Sequence, residues 1–252
     1  MTATPAAAIT NGLADGDAHP EVGALVAEKP HPDNTWTYCT GTLISPTVFL
    51  TAAHCGEPGQ KTAQVTFASQ YEPGSKLYTG RYIPDPRFRM KSAPHDMAVV
   101  VFDKPVPGIR PARLPASGML DRLKAEGKLA SARFTPVGYG SLAPTRKARG
   151  ERFHFTDTRH RASISFKDLS RQWLDLFMTS KGDGSTCTGD SGGPNFLGGP
   201  DSHLLVAVSI SGADDACKGI NYDYRLDSAS ARHFLGKYVT LPEAAPAGRQ
   251  AA

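Results

Sequence analysis

The segment Gly-Asp-Ser-Gly-Gly-Pro at residues 189–194 places Ser191 in a setting that suits a nucleophile. A serine that attacks a carbonyl needs backbone N–H donors to stabilise the negative charge that develops on the carbonyl oxygen. We expect Gly189 and Ser191 to supply these donors, because glycine adopts backbone angles that other residues resist. Taken alone, the segment also fits an ordinary glycine-rich turn.

A serine hydroxyl is a weak nucleophile without a base, and His54 is the histidine best placed for that role. It ends an apolar run in the segment Leu-Thr-Ala-Ala-His-Cys at residues 50–55. Histidine exchanges protons near neutral pH, which suits a general base. The other seven histidines, among them His19, His154 and His203, are interpreted as structural.

Asp96 stands at the start of another apolar segment, Met-Ala-Val-Val-Val at residues 97–101. A carboxylate beside a buried strand is costly unless it is paired. A carboxylate that accepts a hydrogen bond from an imidazole N–H orients the ring and stabilises the imidazolium. We therefore expect Asp96 to pair with His54, although Asp96 alone also fits a surface turn.

The chain has four cysteines, Cys39, Cys55, Cys187 and Cys217, and four cysteines permit three pairings. No Cys-x-x-Cys pair is present, and the spacings suit no zinc site. These residues alone leave two interpretations open: buried thiols in a cytosolic protein, or two disulfides in an exported one.

Composition favours short strands over long helices as the elements that position these residues. The 252 residues include 25 glycines and 20 prolines, and 40% are hydrophobic, enough for a substantial core. Apolar runs between turn residues predict strands typical of sandwiches or barrels, at residues 22–27, 42–50, 64–68, 97–102, 133–137, 161–166 and 204–210. A helical period over residues 228–238 predicts one late helix, with Ser228 as its N-cap.

The charge pattern argues against nucleic acid as a partner. The formal net charge is +4, and the basic residues are scattered apart from Arg146, Lys147, Arg149 and Arg152. No aromatic residues interleave this cluster, as a single-strand binding groove would need, so we interpret it as a solvated loop. The chain also lacks a run of about 18 apolar residues, so we expect no membrane span.

Both ends of the chain are interpreted as lying outside the folded domain. Residues 1–8 lack the charged start and hydrophobic stretch of a complete signal peptide, but residues 6–8 are the small residues of a signal-peptidase site. We interpret residues 1–8 as the remnant of a leader or propeptide. Residues 239–252 are predicted to be a disordered tail.

Together, the segments around His54, Asp96 and Ser191 resemble the chymotrypsin/trypsin family of serine proteases. The order His, Asp, Ser along the chain is one of the few known for this chemistry. Further matches are Cys-Thr-Gly-Thr-Leu-Ile at 39–44, Val-Gly-Tyr-Gly at 137–140, Val-Ser-Ile-Ser at 208–211 and Tyr-Arg-Leu-Asp at 224–227. The resemblance covers residues 9–238, which we take as the protease domain.

The resemblance implies an all-β fold of two antiparallel six-stranded β-barrels with a C-terminal helix and the active site between the barrels. It implies that His54, Asp96 and Ser191 form a catalytic triad and that Gly189 and Ser191 form the oxyanion hole. The implied activity is endopeptidase hydrolysis of proteins or peptides through an acyl-enzyme, with no metal and no cofactor. We expect a secreted monomer with no nucleic-acid or membrane partner.

The same resemblance implies the disulfides Cys39–Cys55 and Cys187–Cys217. The first would clamp the histidine loop. The second would tie the serine loop to a wall of the pocket that receives P1, the residue before the cleaved bond.

Activation by a new N-terminus is also implied. In this family a freed Ile amine pairs with the aspartate before the serine, which corresponds here to Ile9 and Asp190. The residue after Ile9 departs from the family pattern, because Thr10 replaces the usual Val. We expect cleavage after Ala8, a position that does not suit a trypsin-like activator.

The family pattern places Ser185 at the base of the P1 pocket, where trypsin-like enzymes have an aspartate. A neutral base should not attract Arg or Lys, so we expect apolar or aromatic P1 residues. Asp214 and Asp215 lie near the pocket rim and leave a basic P1 open. The further wall candidates are Thr186, Ser209 and Ser211.

Two other classes of protein remain as alternatives. Some members of such families are non-catalytic binding modules, but these typically lose a triad residue, and all three are present here. An esterase of an unrelated fold would use the pattern Gly-x-Ser-x-Gly, which residues 189–193 fit, with a histidine after the serine. No histidine in a convincing context follows Ser191.

Overall fold

Short antiparallel strands carry most of the chain in the computed structural model, which describes residues 9–90, 94–147 and 150–244. In chain order the strands are β1 (Leu13–Ala14), β2 (Val22–Val26), β3 (Thr37–Ser45), β4 (Val48–Thr51), β5 (Thr62–Thr66), β6 (Leu77–Pro84), β7 (Ala98–Phe102), β8 (Arg133–Gly138), β9 (Leu142–Lys147), β10 (Gly150–His154), β11 (His160–Arg161), β12 (Ile164–Leu169), β13 (Trp173–Phe177), β14 (Pro194–Leu197), β15 (Leu205–Gly212) and β16 (Asn221–Arg225). The described helices are α1 (Met119–Ala125) and α2 (Ala229–Leu235), and a short 3-10 turn spans Ala53–Cys55.

The first barrel closes six strands in the order β2-β3-β4-β7-β6-β5, and each neighbouring pair is antiparallel. Leu25, Leu43, Phe49 and Val100 belong to the apolar cluster in its interior, and none of them is accessible to solvent. A Cβ at Gly41 of β3 would overlap the Phe49 ring. The glycine therefore lets β3 approach that ring closely.

The second barrel contains β8, β12, β13, β16, β15 and β14, and it closes because β14 also pairs with β8. Beyond β8 the sheet is extended by β11 and then β1. Phe134, Ile164, Leu174 and Val206 fill its interior together with Leu120 from α1, a helix that the sequence did not predict. The two six-stranded barrels and the C-terminal helix confirm the predicted fold class.

A third apolar cluster lies where the two barrels and α2 meet. It combines side chains from all three: Leu50, Val99, Val137, Phe196 and Phe234. Ser228 caps α2 as predicted, because its side-chain oxygen accepts the Ala231 N–H at 3.3 Å. The helix is thereby fixed where both barrels meet.

A buried ionic cluster around Asp15 attaches the N-terminal segment to both barrels. Asp15 accepts hydrogen bonds from His19 Nδ1 at 2.6 Å and from Arg159 Nε at 2.9 Å. Arg159 is 1% exposed and also donates to the Val22 carbonyl oxygen at 2.8 Å. Burial by itself would raise the pKa of Asp15, but His19 and Arg159 outweigh it and hold this pKa at about 2. These hydrogen bonds and ion pairs, rather than a disulfide, hold the N-terminal segment against the barrels.

The basic cluster lies on a β-hairpin formed by β9 and β10, where the sequence predicted a loop. Its members Arg146, Lys147 and Arg152 are exposed, and Arg149 lies outside the described residues. Glu151 faces Arg146 across the two strands. This pairing of opposite charges supports the hairpin register.

The packed part of the chain continues beyond residue 238, where the sequence analysis ended the domain. Val239 and Leu241, assigned there to the disordered tail, pack against the cluster between the barrels. Residues 1–8 and 245–252 lie outside the described residues, and with them the predicted leader and the end of the predicted tail. Within the described ranges, no helix has the length and apolar character needed to cross a membrane.

Candidate active site

His54 lies in the 3-10 turn that follows β4, and two features hold this turn in place. The Cys39–Cys55 disulfide, the pairing that the resemblance implies, ties it to β3. The Tyr82 hydroxyl on β6 donates to the carbonyl oxygens of the two residues before His54, at 3.0 Å in each case. The backbone of the histidine is therefore anchored from both sides.

Asp96 holds His54 through both of its carboxylate oxygens. Oδ2 accepts from the ring Nδ1 at 2.6 Å, and Oδ1 accepts from the His54 backbone N–H at 2.9 Å. Because an ionised carboxylate only accepts hydrogen bonds, the neutral ring carries its proton on Nδ1 and keeps Nε2 as an acceptor. Asp96 is 3% exposed, whereas 27% of the His54 side chain is accessible. Such an imidazole can take a proton from a neighbouring hydroxyl.

The residue before Asp96 links the site to α2. His95 has a φ of 66°, and its Nδ1 lies 2.9 Å from Ser230 Oγ. The Tyr224 hydroxyl donates to Ser230 Oγ at 3.1 Å. Burial and the charge of Arg87 lower the pKa of His95. The His95 ring is therefore uncharged near neutral pH, and its Nδ1 can accept a hydrogen bond from the Ser230 hydroxyl.

Contacts to the first barrel place Ser191 against the histidine turn. Its carbonyl oxygen accepts the Thr40 N–H at 2.9 Å, and Cys55 Sγ lies 3.7 Å from the same oxygen. Gly192 has a φ of 83°, and a Cβ there would overlap Thr51 Oγ1 and the Thr40 carbonyl oxygen. The residue after Ser191 must therefore be glycine for the serine loop to approach the first barrel.

The backbone N–H groups of Gly189 and Ser191 are the predicted oxyanion hole. Neither donates to an acceptor within the described part of the chain, whereas the intervening Asp190 N–H donates to the Cys187 carbonyl oxygen at 3.0 Å. Gly189 has a φ of 95°, a conformation that L side chains rarely adopt. The loop thus keeps two donors available beside the Ser191 side chain.

Asp190 is enclosed beneath this loop and is 1% exposed. Its carboxylate accepts the Gly140 N–H at 2.8 Å and the Cys187 N–H at 2.9 Å. Burial raises its pKa to about 7, although these two bonds lower it, and no Lys or Arg of the described residues acts on it. A Cβ at Gly138 or Gly140 would overlap the carboxyl group. This contact explains why both of these positions in the Val-Gly-Tyr-Gly segment are glycine.

The segment predicted to insert after activation lies against the residue expected at the pocket base. Ile9 is fully buried, and Thr10 and Ser185 exchange backbone hydrogen bonds of 2.9 and 3.1 Å. In the uncleaved chain the Ile9 nitrogen belongs to the peptide bond with Ala8 and carries no charge. With this peptide bond intact, Ile9 offers no cation to Asp190.

A pocket of about 290 Å³ opens beside Ser191, and the Cys187–Cys217 disulfide forms part of its wall. The three predicted wall residues and both rim aspartates line it: Thr186, Ser209, Ser211, Asp214 and Asp215. Ile210, from the Val-Ser-Ile-Ser segment, also lines it, as do Thr188 and Gly212, which the sequence did not predict. Hydroxyl and carboxylate groups thus dominate the polar part of the wall.

Ser185, which the sequence placed at the pocket base, precedes the lining residue Thr186 but does not itself line the pocket. It is fully buried, and its Oγ donates to Asn221 Oδ1 at 2.8 Å. Asn221 Nδ2 is buried without a partner among the described residues. The sequence predicted a single serine here, but the structure shows a neutral pair of hydroxyl and amide. The local sequence signal for Asn221 is weak: it is a polar residue next to the apolar Ile220.

Cys39, His54 and Cys55 bring their side-chain donor atoms within 4.8 Å of one another, a spacing compatible with a metal site. Both sulfurs are joined in a disulfide, and a cysteine binds metal as the thiolate. The cluster therefore does not offer a ligand set for a metal ion.

Sequence comparisons agree with this fold. A family model described as Trypsin matches residues 30–231, and the chain belongs to this trypsin family of serine protease-type hydrolases. A curated protein named Trypsin, from Phaedon cochleariae, is 26% identical over 191 residues, which cover 73% of this chain and 73% of that protein. The comparisons confirm the family that the motifs predict.

Proposed function

We propose that this protein is a secreted serine endopeptidase with His54, Asp96 and Ser191 as its catalytic triad. The observation that carries the proposal is the contact between Asp96 and His54, which leaves Nε2 of a partly exposed imidazole as an acceptor beside the Ser191 loop. The trypsin family to which the chain belongs supports protein or peptide substrates.

In the proposed reaction, Ser191 Oγ forms a bond to the peptide carbonyl carbon while His54 Nε2 takes the hydroxyl proton. The Gly189 and Ser191 N–H groups bind the oxyanion, and Asp96 stabilises the imidazolium. His54 then protonates the leaving amine as the C–N bond breaks, which leaves an acyl-enzyme. A water molecule activated by His54 hydrolyses this ester and restores Ser191.

Activation is proposed to follow cleavage after Ala8, which converts the Ile9 nitrogen into an ammonium. Three features support this step: Ile9 is buried, Thr10 is bonded to Ser185, and the buried Asp190 has no cation beside it among the described residues. An ammonium paired with Asp190 would favour the ionised carboxylate and hold the Ser191 loop in place. Edman sequencing of active protein should therefore begin at Ile9, and an active species that begins at Met1 would contradict this step.

Export is supported by the two disulfides, because disulfides persist in oxidising compartments. We propose that the mature protein is a secreted monomer. Size-exclusion chromatography of the cleaved protein with light scattering tests the monomer, which should have a mass near the 26.8 kDa of the whole chain or slightly below it.

For P1 we propose an apolar or aromatic side chain, since Ser185, the residue expected at the pocket base, is neutral and donates to the neutral Asn221 amide. A basic P1 is the alternative, supported by the exposed carboxylates of Asp214 and Asp215 on the pocket wall. Peptides that differ only in P1, with Phe, Leu, Arg or Lys, separate the two. Faster cleavage after Arg or Lys, lost in Asp214→Asn or Asp215→Asn, would establish the alternative.

Peptide-amide hydrolysis by the cleaved protein tests the proposed activity. We expect hydrolysis that Ser191→Ala abolishes. Hydrolysis of esters without amides would favour an esterase. No hydrolysis by a species that begins at Ile9 would favour a non-catalytic binding module.

A further inference from the structure

Asp96 lies at the centre of a three-residue turn that is anchored through its two ends. The Met97 N–H donates to the His95 carbonyl oxygen at 2.8 Å, which closes the turn around Asp96. Within the described part of the chain, the backbone N–H and carbonyl groups of Asp96 itself make no hydrogen bond. The direction of the Asp96 side chain therefore depends on how His95 and Met97 are fixed on either side of it.

The Met97 end of this turn is anchored by the segment after β6. The Asp85 N–H donates to the Met97 carbonyl oxygen at 2.8 Å. The buried Asp85 carboxylate accepts from Arg87 Nη2 at 2.6 Å, and Arg87 also donates to the Ser230 carbonyl oxygen on α2 at 3.0 Å. This end is thus held by a backbone hydrogen bond to a residue whose side chain is itself fixed in an ion pair.

The His95 end of the turn is held by its side chain. His95 has a φ of 66°, in the left-handed region that is unfavourable for residues other than glycine unless surrounding contacts hold it. Its Nδ1 lies 2.9 Å from Ser230 Oγ on α2. The buried Tyr224 hydroxyl donates to Ser230 Oγ at 3.1 Å, so the Ser230 O–H is the group left to donate to His95.

The His95 ring is in the state needed to accept this hydrogen bond. Burial and the charge of Arg87 lower the pKa of His95, and the charge of Asp85 raises it by a smaller amount. The ring is therefore neutral near neutral pH, with Nδ1 as its acceptor. The hydroxyls of Tyr224 and Ser230 thus donate in one direction, from β16 through α2 to the residue next to Asp96.

We propose that His95 is a positioning residue, whose hydrogen bond from Ser230 holds the turn in the conformation that aims Asp96 at His54. Without this bond, the backbone at His95 relaxes towards the negative φ values that L residues favour. The turn then rotates and moves the Asp96 carboxylate away from the His54 ring. This inference rests on the proposed function, because it names the residues that orient the proposed base.

Two single variants remove the two partners of this hydrogen bond. Ser230→Ala removes the donor, and His95→Ala removes the acceptor. In the cleaved protein each should lower kcat about tenfold. KM should stay nearly unchanged, because no residue of the turn lines the P1 pocket. Since both changes remove the same bond, the double variant should lose no more than either single variant.

His95→Asn is the conservative variant, and it separates the hydrogen bond from the mere presence of a large side chain. Asn Oδ1 is bonded to Cγ, as His Nδ1 is, so it can accept from the same hydroxyl, and asparagine tolerates a positive φ. It should therefore keep most of the kcat that His95→Ala loses. His233→Ala, at an exposed histidine of α2, is the matched control and should leave kcat unchanged.

A spectroscopic measurement tests the geometry without peptide hydrolysis. The His54 Nδ1 proton lies in the 2.6 Å contact with Asp96, and a short hydrogen bond to a carboxylate moves such a proton downfield in the NMR spectrum. This resonance should move upfield or broaden in His95→Ala and Ser230→Ala. It should stay in place in His95→Asn and His233→Ala. Circular dichroism of the same samples shows that the variants are folded.

The outcomes separate this inference from the proposed function. An unmoved resonance and an unchanged kcat in folded Ser230→Ala would overturn the role of the hydrogen bond and leave the peptidase intact. Equal losses in His95→Asn and His95→Ala would overturn the assignment of Nδ1 as the anchor. The expected changes in the resonance, in a protein that hydrolyses no peptide, would overturn the proposed function and support the positioning of Asp96 by His95.

Discussion

Asp96 contacts His54 at two points, the ring Nδ1 at 2.6 Å and the backbone N–H at 2.9 Å. The backbone contact holds the histidine turn, and the ring contact sets which nitrogen carries the proton. One carboxylate thus determines both the position of the proposed base and the ring nitrogen that remains free to accept a proton in the proposed reaction.

Asp96→Asn should remove most of the activity while the fold remains. The amide N–H₂ would donate to Nδ1 and move the ring proton to Nε2, so that the base could no longer accept. We expect kcat to fall by about 10⁴-fold, as in the well-studied template of this triad, where the same change leaves the ring in the wrong tautomer. Asp103→Asn, at an exposed aspartate just after β7, is the control and should retain full activity. A loss below tenfold in Asp96→Asn would contradict the triad.

Gly192→Ala should destabilise the protein and disrupt the serine loop. The positive φ and the overlap with Thr51 and the Thr40 carbonyl oxygen together should cost at least about 2 kcal/mol in the free energy of unfolding. Urea unfolding measures this cost. Gly199→Ala is the matched control, because a Cβ there meets no atom within 4 Å. Equal stability of the two variants would refute the close approach described for Gly192.

Asp190 should make the stability of the uncleaved chain depend on pH. Its pKa is about 7 in the fold against an ordinary 3.8, so the folded protein keeps a proton that the unfolded chain releases. The stability that neutral Asp190 contributes is present below about pH 4 and is lost as pH rises through about 7. The loss corresponds to about 4 kcal/mol.

This loss can be measured by urea unfolding of the uncleaved protein and of Asp190→Asn at pH 4 and pH 8. Raising the pH should favour the variant over the unmodified protein by up to about 4 kcal/mol. In protein that begins at Ile9 the difference should shrink, because an ammonium would pair with the carboxylate. An identical pH dependence of both uncleaved proteins would contradict the assignment of Asp190.

Asp15 should have the opposite pH dependence. Its pKa of about 2 lies below the ordinary 3.8, so its contribution is present above about pH 4 and is lost as pH falls towards 2, about 2 kcal/mol in all. At pH 7, Asp15→Asn should cost about 3–5 kcal/mol, because it leaves Arg159 buried without its carboxylate. Urea unfolding from pH 2 to 7 checks both effects, and a cost below 1 kcal/mol at pH 7 would show that Asp15 is not the anchor.

The neighbours of Ser191 could be predicted because their signals are local, and the fold class was implied by the family resemblance that these segments carry. Short segments carry the information needed to predict these neighbours. They are the glycines at 189, 192 and 193, the apolar run that leads to His54, and the apolar strand after Asp96. The structure brings His54 and Asp96 together and sets the Ser191 loop beside them. The cysteines pair as the family resemblance implies.

Contacts between residues far apart in the chain could not be predicted from short segments. Asn195 and Asp223 lie 28 positions apart and meet only because β14, β15 and β16 are neighbours in the second barrel. Asp15 and Arg159 are separated by 144 positions. Nothing in the sequence around Ser185 indicates that its side chain contacts Asn221. Such contacts depend on strand order and register, which no short motif contains.

The central claim, an activated Ser191, is tested most directly by intact-mass measurement after treatment with a fluorophosphonate probe. We expect a single adduct on the species that begins at Ile9, and no adduct on Ser191→Ala. The uncleaved protein should react much more slowly, because its Asp190 lacks the ammonium. An Ile9-start species that folds and remains unlabelled would contradict the claim and identify a binding module instead of a peptidase.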